Sequence, residues 1–260
     1  MANFDRYGNA RIGAGSRAEA GVIDQGLRSY MGSVYNYMTI GLAITGLFAI
    51  GAFMASVTDN PVGAAAQARN GMYLTSIGYA LFVSPLKWAV MLAPLGMVFF
   101  LSARLNSMTT SGAQIAFWAF AALMGISLST IFLVYTGTSI ARVFFITAAA
   151  FGALSLYGHT TKRDLSAMGT FLVMGLFGII IASLVNLFVQ SSMMQFIISV
   201  VGVLVFSGLT AYDTQRIKET YFAVQGSDMM GRTAIMGALT LYLDFINLFT
   251  MLLSLFGNRE

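Results

Sequence analysis

The chain has 260 residues, 57% apolar and only 9% charged, with a net charge of +4; a soluble chain carries roughly a quarter charged residues. With a mean hydropathy of +0.77, the sequence is that of an integral membrane protein, and at roughly 20 residues per crossing it has room for about six to eight helices and no separate soluble catalytic domain. The absence of cysteine and the single histidine, His159, exclude disulfides, iron–sulfur clusters and zinc or haem sites built on Cys or several His. The apolar stretches are continuous and do not alternate, which argues against a transmembrane β-barrel. No phosphate loop or nucleophile elbow is present. The basic residues are spread over loops and form no nucleic-acid patch, and no enzymatic activity is expected.

Residues 1–28 are polar and rich in Gly, Ala and Arg, and read as a flexible cytoplasmic tail ahead of a membrane domain over 29–257. Span one follows at about 33–57, too long for a signal-peptide core and therefore a retained anchor. The stretch 58–85 contains a short apolar piece, residues 72–83, that cannot cross a bilayer as a helix and is read as interfacial or re-entrant. Span two covers about 86–103, with Pro94 predicted to kink it. Spans three to seven cover about 112–135, 139–158, 168–190, 193–213 and 234–256. His159 falls in the loop after span four. No internal repeat is evident, so an inverted-repeat transporter gains no support.

Basic residues give the orientation. With the N-terminus inside, the inside segments hold Arg6, Arg11, Arg17, Arg28, Arg104, Lys162, Arg163, Arg216, Lys218 and Arg232, and the outside segments hold Arg69, Lys87, Arg142 and Arg259. Excess Lys and Arg on the cytoplasmic side predicts seven spans, N-terminus in and C-terminus out.

Eight of the ten acidic residues lie in tails or loops. Asp244 does not: it sits ten residues into span seven, roughly 15 Å deep. A carboxylate there costs about 2.5–3.5 kcal/mol on insertion scales and marks a functional site by default. Gly237, Thr240, Asp244 and Asn247 share one face of that span and form a polar, small seam. Asp213 closes span six at the inside face, where the helix dipole disfavours it and Arg216 and Lys218 offset that. In span five, Ser183, Asn186 and Gln190 share a face and read as interhelical hydrogen-bonding groups. Arg104 ends span two, either as a topology signal or as a counter-charge for an aspartate.

The segments FGALSLYGHTTKRDLSAMG, GLTAYDTQRIK and ALTLYLDFINLF resemble the Bax inhibitor-1 family, in its bacterial YccA-like and YetJ-like branch, from about residue 25 to 257. The resemblance implies an all-α, seven-helix membrane bundle with the C-terminal helix central, enclosed by the other six. It implies a bacterial inner-membrane protein that acts as a pH-sensitive calcium leak, with calcium as the permeant ion and no resident cofactor. It further implies a proton-sensing, calcium-facing pair at Asp213 and Asp244, with Arg104 as the partnering arginine. Span two carries no acid where some family members have a glutamate.

Two carboxylates in low dielectric cannot both ionise cheaply, so the pair shares a proton and titrates as a unit. Ion leak is then expected to change steeply between about pH 6 and 8. Asp213 ends span six while Asp244 lies deeper, so contact requires span six to extend past its nominal end or span seven to shift. The alternative implied by YccA-like relatives is an interaction protein that modulates a membrane quality-control protease. A retinal protein is excluded, because span seven has no lysine for a Schiff base.

Overall fold

The computed structural model describes residues 4–62, 64–67 and 72–258, with side chains described from residue 25 onward except Asn106. Arg6, Arg11, Arg17, Arg69 and Arg259, used in the orientation count, lie outside the residues whose side chains are described. The elements run α1 (Phe4–Ser56), β1 (Val57–Thr58), β2 (Ala66–Gln67), β3 (Tyr73–Leu74), α2 (Ser76–Phe82), α3 (Leu86–Arg104), α4 (Thr110–Leu128), α5 (Gly137–Thr160), α6 (Ser166–Val189), α7 (Ser192–Val224) and α8 (Met230–Phe256). Among the described residues, seven helical segments are long and apolar enough to cross a membrane: Gln25–Ser56 of α1, α3, α4 with its 3₁₀ extension to Leu133, and α5 to α8. The protein is an all-α membrane bundle.

Most span limits agree with the hydropathy pattern within a few residues, because apolar runs and membrane helices share a cause. Backbone N–H and C=O groups in lipid must be satisfied within the segment. Three differences matter. The stretch 57–83 forms a small antiparallel sheet in the order β1-β3-β2 and a seven-residue helix α2. Thr75 caps α2 by accepting from Gly78 N at 3.1 Å. α5 runs to Thr160, so His159 is in the last helical turn and not in a loop.

The third difference is the largest. The sixth span does not end at Asp213; α7 continues eleven residues to Val224. Hydropathy falls at TQRIKE, but helical periodicity does not. Thr214, Ile217 and Tyr221 stay buried while Arg216 and Glu219 are exposed. The extension is an amphipathic continuation of the membrane helix. By the same token the seventh span starts earlier than 234, at Met230.

Burial is concentrated in α8. Of its most apolar 18-residue window 56% lies inside the bundle, against 39% for α7 and 11–33% for the others. α8 packs on α1, α4, α5 and α7, while α3 packs mainly on α4 and α6 mainly on α7. Ring contacts tie these layers together: Tyr242 of α8 meets Phe117 and Phe120 of α4 edge-on at 5.7 and 5.4 Å, and Phe245 meets Phe151 of α5 at 5.5 Å. Long helices of the bundle cross backbone-close at glycine. A Cβ at Gly158 would collide with Ala211 of α7, and one at Gly125 would collide with the Thr45 carbonyl of α1.

The helix ends sort into two rims. On one, the rings of Tyr30 of α1 and Tyr221 near the end of α7 lie 5.4 Å apart, tilted by 41°. On the same rim Arg232 of α8 donates to Met108 O between α3 and α4 at 3.3 Å, and Lys218 of α7 donates to His159 O at 2.9 Å. On the other, Thr136 N donates to Asn258 O at 3.1 Å and Ser199 Oγ donates to Ser254 Oγ at 3.0 Å. Successive spans therefore alternate in direction, and the two ends of the bundle's chain lie on opposite rims.

Candidate functional site

Asp213 and Asp244 meet inside the bundle. α8 presents Asp244 fourteen residues from Met230 and twelve from Phe256, about 21 and 18 Å from its ends. The continuation of α7 puts Asp213 about 16 Å from Val224. Both carboxylates are therefore deep, and their side chains lie within hydrogen-bonding range of each other. Asp213 is 9% exposed and Asp244 5%. Asp244 Oδ2 is fully buried and has no hydrogen-bond partner. Contact follows from the length of α7, with no displacement of α8 needed.

The backbone around the pair is built to tolerate burial. Thr210 Oγ1 donates to Phe206 O at 2.8 Å and Thr214 Oγ1 donates to Thr210 O at 2.7 Å, so hydroxyls on both sides of Asp213 are satisfied within the helix. Thr214 Oγ1 also meets Ser155 Oγ of α5 at 3.0 Å, and Ser155 Oγ meets Tyr35 OH of α1 at 2.6 Å. This chain of hydroxyls links three helices one residue from Asp213. Two residues along, Gln215 donates through Nε2 to Arg163 O at 2.8 Å and accepts from Leu165 N at 2.9 Å. That clamps the α5–α6 turn onto α7. In the same turn, outside the membrane, the Ser166 side chain and then the Ser166 N–H, which donates to Asp164 at 2.8 Å, hold the Asp164 carboxyl below the usual range. On α8, Tyr242 OH bonds Thr45 Oγ1 at 2.6 Å, and Thr45 in turn donates to the Gly41 and Ala121 carbonyls.

The cation that acts on Asp213 is Arg216, one turn along α7. Arg104 is not brought to the pair. It is exposed at the end of α3, beside the turn that Arg232 ties to the first turn of α8. Asp244 lies twelve residues beyond Arg232 along α8, a rise of about 18 Å. The predicted seam on α8 divides: Gly237 and Asp244 are buried, while Thr240 and Asn247 are half-buried. Ser183 is exposed; Asn186 accepts from Ser191 N at 2.9 Å and donates to Gln195 at 3.3 Å. Gln190 is a left-handed helix cap with φ 54°. Those three polar residues thus belong mainly to the α6–α7 turn. Among the described residues no group of three or more His, Cys, Asp or Glu forms a metal site.

Sequence reasoning passed over Tyr35, Ser155, Thr214 and Gln215. Their signal was hydroxyls and an amide inside otherwise apolar spans, a pattern that rarely persists in lipid without partners.

These features define a multi-pass α-helical membrane protein with a buried carboxyl pair between its last two helices. The chain belongs to the Bax inhibitor-1 family: residues 27–260 match the family described as "Inhibitor of apoptosis-promoting Bax1". It is 47% identical over 238 residues to the uncharacterized protein RP147 of Rickettsia prowazekii, covering 91% of this chain and 92% of that one. It is 43% identical over 237 residues to the inner membrane protein YbhL of Escherichia coli K12, covering 90% and 94%. An uncharacterized protein of Caulobacter vibrioides matches at 42% over the full length of both chains.

Proposed function

We propose that the chain is a pH-sensitive calcium leak channel of a bacterial inner membrane, gated by Asp213 and Asp244. The observation that carries this reading is the meeting of two carboxyl groups from neighbouring helices deep in a lipid-embedded bundle, with one oxygen of Asp244 lacking a partner. An ionised, unpaired carboxylate in such a place is strongly disfavoured. A shared proton lowers the charge of the pair from −2 to −1, spreads it over both groups and hydrogen-bonds α7 to α8. Loss of that proton leaves two like charges, and unit charges in such close contact repel by about 4 kcal/mol at an effective dielectric near 20. That is enough to shift a two-state equilibrium about a thousandfold. The separated carboxylates then offer hard oxygen ligands to calcium as it passes. Two carboxylates fall short of the six to eight oxygens of a resident calcium site, as suits a permeant ion in transit. Arg216 takes the counter-charge role expected of Arg104.

The N-terminal rim is assigned to the cytoplasm on the distribution of Lys and Arg, and the inner membrane on the name of the Escherichia coli relative. The test is calcium entry into liposomes containing only the purified chain, measured across pH. A pH-dependent leak supports the reading. No leak at any pH rejects it and leaves the modulation of a membrane protease as the alternative to pursue.

A further inference from the structure

A furrow of about 1110 Å³ opens between α1 and α5, with Phe245 of α8 in its floor. It extends from Arg28 to Ile50 along α1 and from His159 to Gly137 along α5. Twenty-two helical residues span about 33 Å, close to the ~30 Å of a bilayer's hydrocarbon core. Its lining is overwhelmingly apolar. The ends differ in charge. At the Arg28 end lie His159, Lys218 bonded to the His159 carbonyl, and the exposed Lys162 and Arg163, against the exposed acids Asp164 and Glu219. Among the described residues the far end is lined by Ile50, Phe132 and Gly137, none of them charged, and the one cation of α5 on that side, Arg142, is exposed and does not line the furrow.

The walls are also hollowed. A Cβ added at Gly32 or Gly46 on α1, or at Gly137 or Gly152 on α5, would meet no heavy atom within 4 Å. Protein interiors are otherwise close-packed, so a slot this long in a membrane protein has to be filled by something linear and apolar. A basic group at one end selects an anionic head.

We propose that the furrow seats one anionic phospholipid, with an acyl chain lying between α1 and α5 and the phosphate at Arg28 and His159. Tyr35 and Ser155 line the furrow, and Ser155 bonds Thr214 beside Asp213. The lipid therefore lies one hydrogen bond from Thr214, the chain neighbour of Asp213, although its binding does not depend on the channel reading.

The full-length chain, delipidated in mild detergent, is titrated with phosphatidylglycerol or phosphatidylcholine of identical acyl chains, and bound lipid and oligomeric state are read by native mass spectrometry. The wild type is expected to retain one phosphatidylglycerol in preference to phosphatidylcholine. Arg28→Gln is expected to keep binding but lose about fivefold of that preference, the worth of one interfacial cation. Gly152→Leu and Gly46→Leu, from opposite walls, build side chains into the slot at positions where a Cβ meets no protein atom within 4 Å. Each is expected to abolish retention of both lipids while melting within a few degrees of wild type. Equal retention of the two lipids by the wild type, or unchanged retention in both plugged variants, would overturn the proposal. So would a dimer that the plugs convert to monomer while lipid binding persists, because the furrow would then hold a second copy of the chain.

Discussion

Gly158 lies where α5 crosses α7, two residues from Asp213 in the facing helix. A Cβ there would sit 2.9 Å from the Ala211 carbonyl carbon, 3.0 Å from Ala211 Cα and closer still to Ala211 O. These are backbone atoms, so no side-chain rotation relieves the contact. The helices must part by about half to one ångström to restore ordinary packing. Overpacking of this kind costs about 1–3 kcal/mol, offset by about 0.5–1 kcal/mol from replacing glycine by alanine within a helix. Gly158→Ala is therefore expected to destabilise by about 1–2 kcal/mol. Gly152→Ala is the control: it is six residues away in the same helix but faces open space. It is expected to be neutral or to stabilise by up to about 1 kcal/mol. Thermal unfolding of both variants in one detergent reads the difference, at roughly 2–4 °C per kcal/mol for a chain near this size. If Gly158→Ala melts with or above Gly152→Ala, the α5–α7 crossing is not as close as described, and the positioning of Asp213 by that crossing fails with it.

The Thr45–Tyr242 pair gives an asymmetric expectation. Tyr242→Phe removes one hydrogen bond and leaves Thr45 still donating to backbone, at a cost of about 0.5–1.5 kcal/mol. Thr45→Val strands a fully buried phenol and is expected to cost about 1–3 kcal/mol. The double variant should cost less than the sum, read by denaturation in detergent. Arg216→Gln removes the positive charge that acts on Asp213, which makes loss of the shared proton harder and should move the leak profile to higher pH. Arg104→Gln, at an exposed residue on the end of α3, is expected to leave the profile where it is. Liposome flux across pH compares the two, and equal shifts would contradict the assignment to Arg216.

The spans were legible because the requirement for about 20 apolar residues acts directly on composition. Their ends were less so. Hydropathy stops where Arg216, Lys218 and Glu219 begin, while helix α7 continues because Thr214, Ile217 and Tyr221 still face inward. That one boundary decided whether Asp213 is a surface cap or a buried group. Asp244 stood out by depth alone. The placement of Arg104 rested on kinship around FFLSAR, and kinship carries no information on which rim residue reaches the pair. His159 looked like loop because GHTTKRD is polar, yet its first three residues complete α5. The furrow was invisible in the sequence. It depends on α1 and α5 standing apart over Phe245, and the glycines that hollow it are the same residue type as Gly158, which does the opposite.

The most direct test is calcium flux across pH in liposomes carrying the wild-type chain, Asp213→Asn, Asp244→Asn or the double variant, each confirmed to fold by its melting curve. Asparagine keeps shape and hydrogen-bonding capacity but cannot titrate. If the pair gates as one unit, each single change flattens the pH profile and the double change adds little to either. A profile unaltered in both single variants, with leak intact, would contradict gating by Asp213 and Asp244.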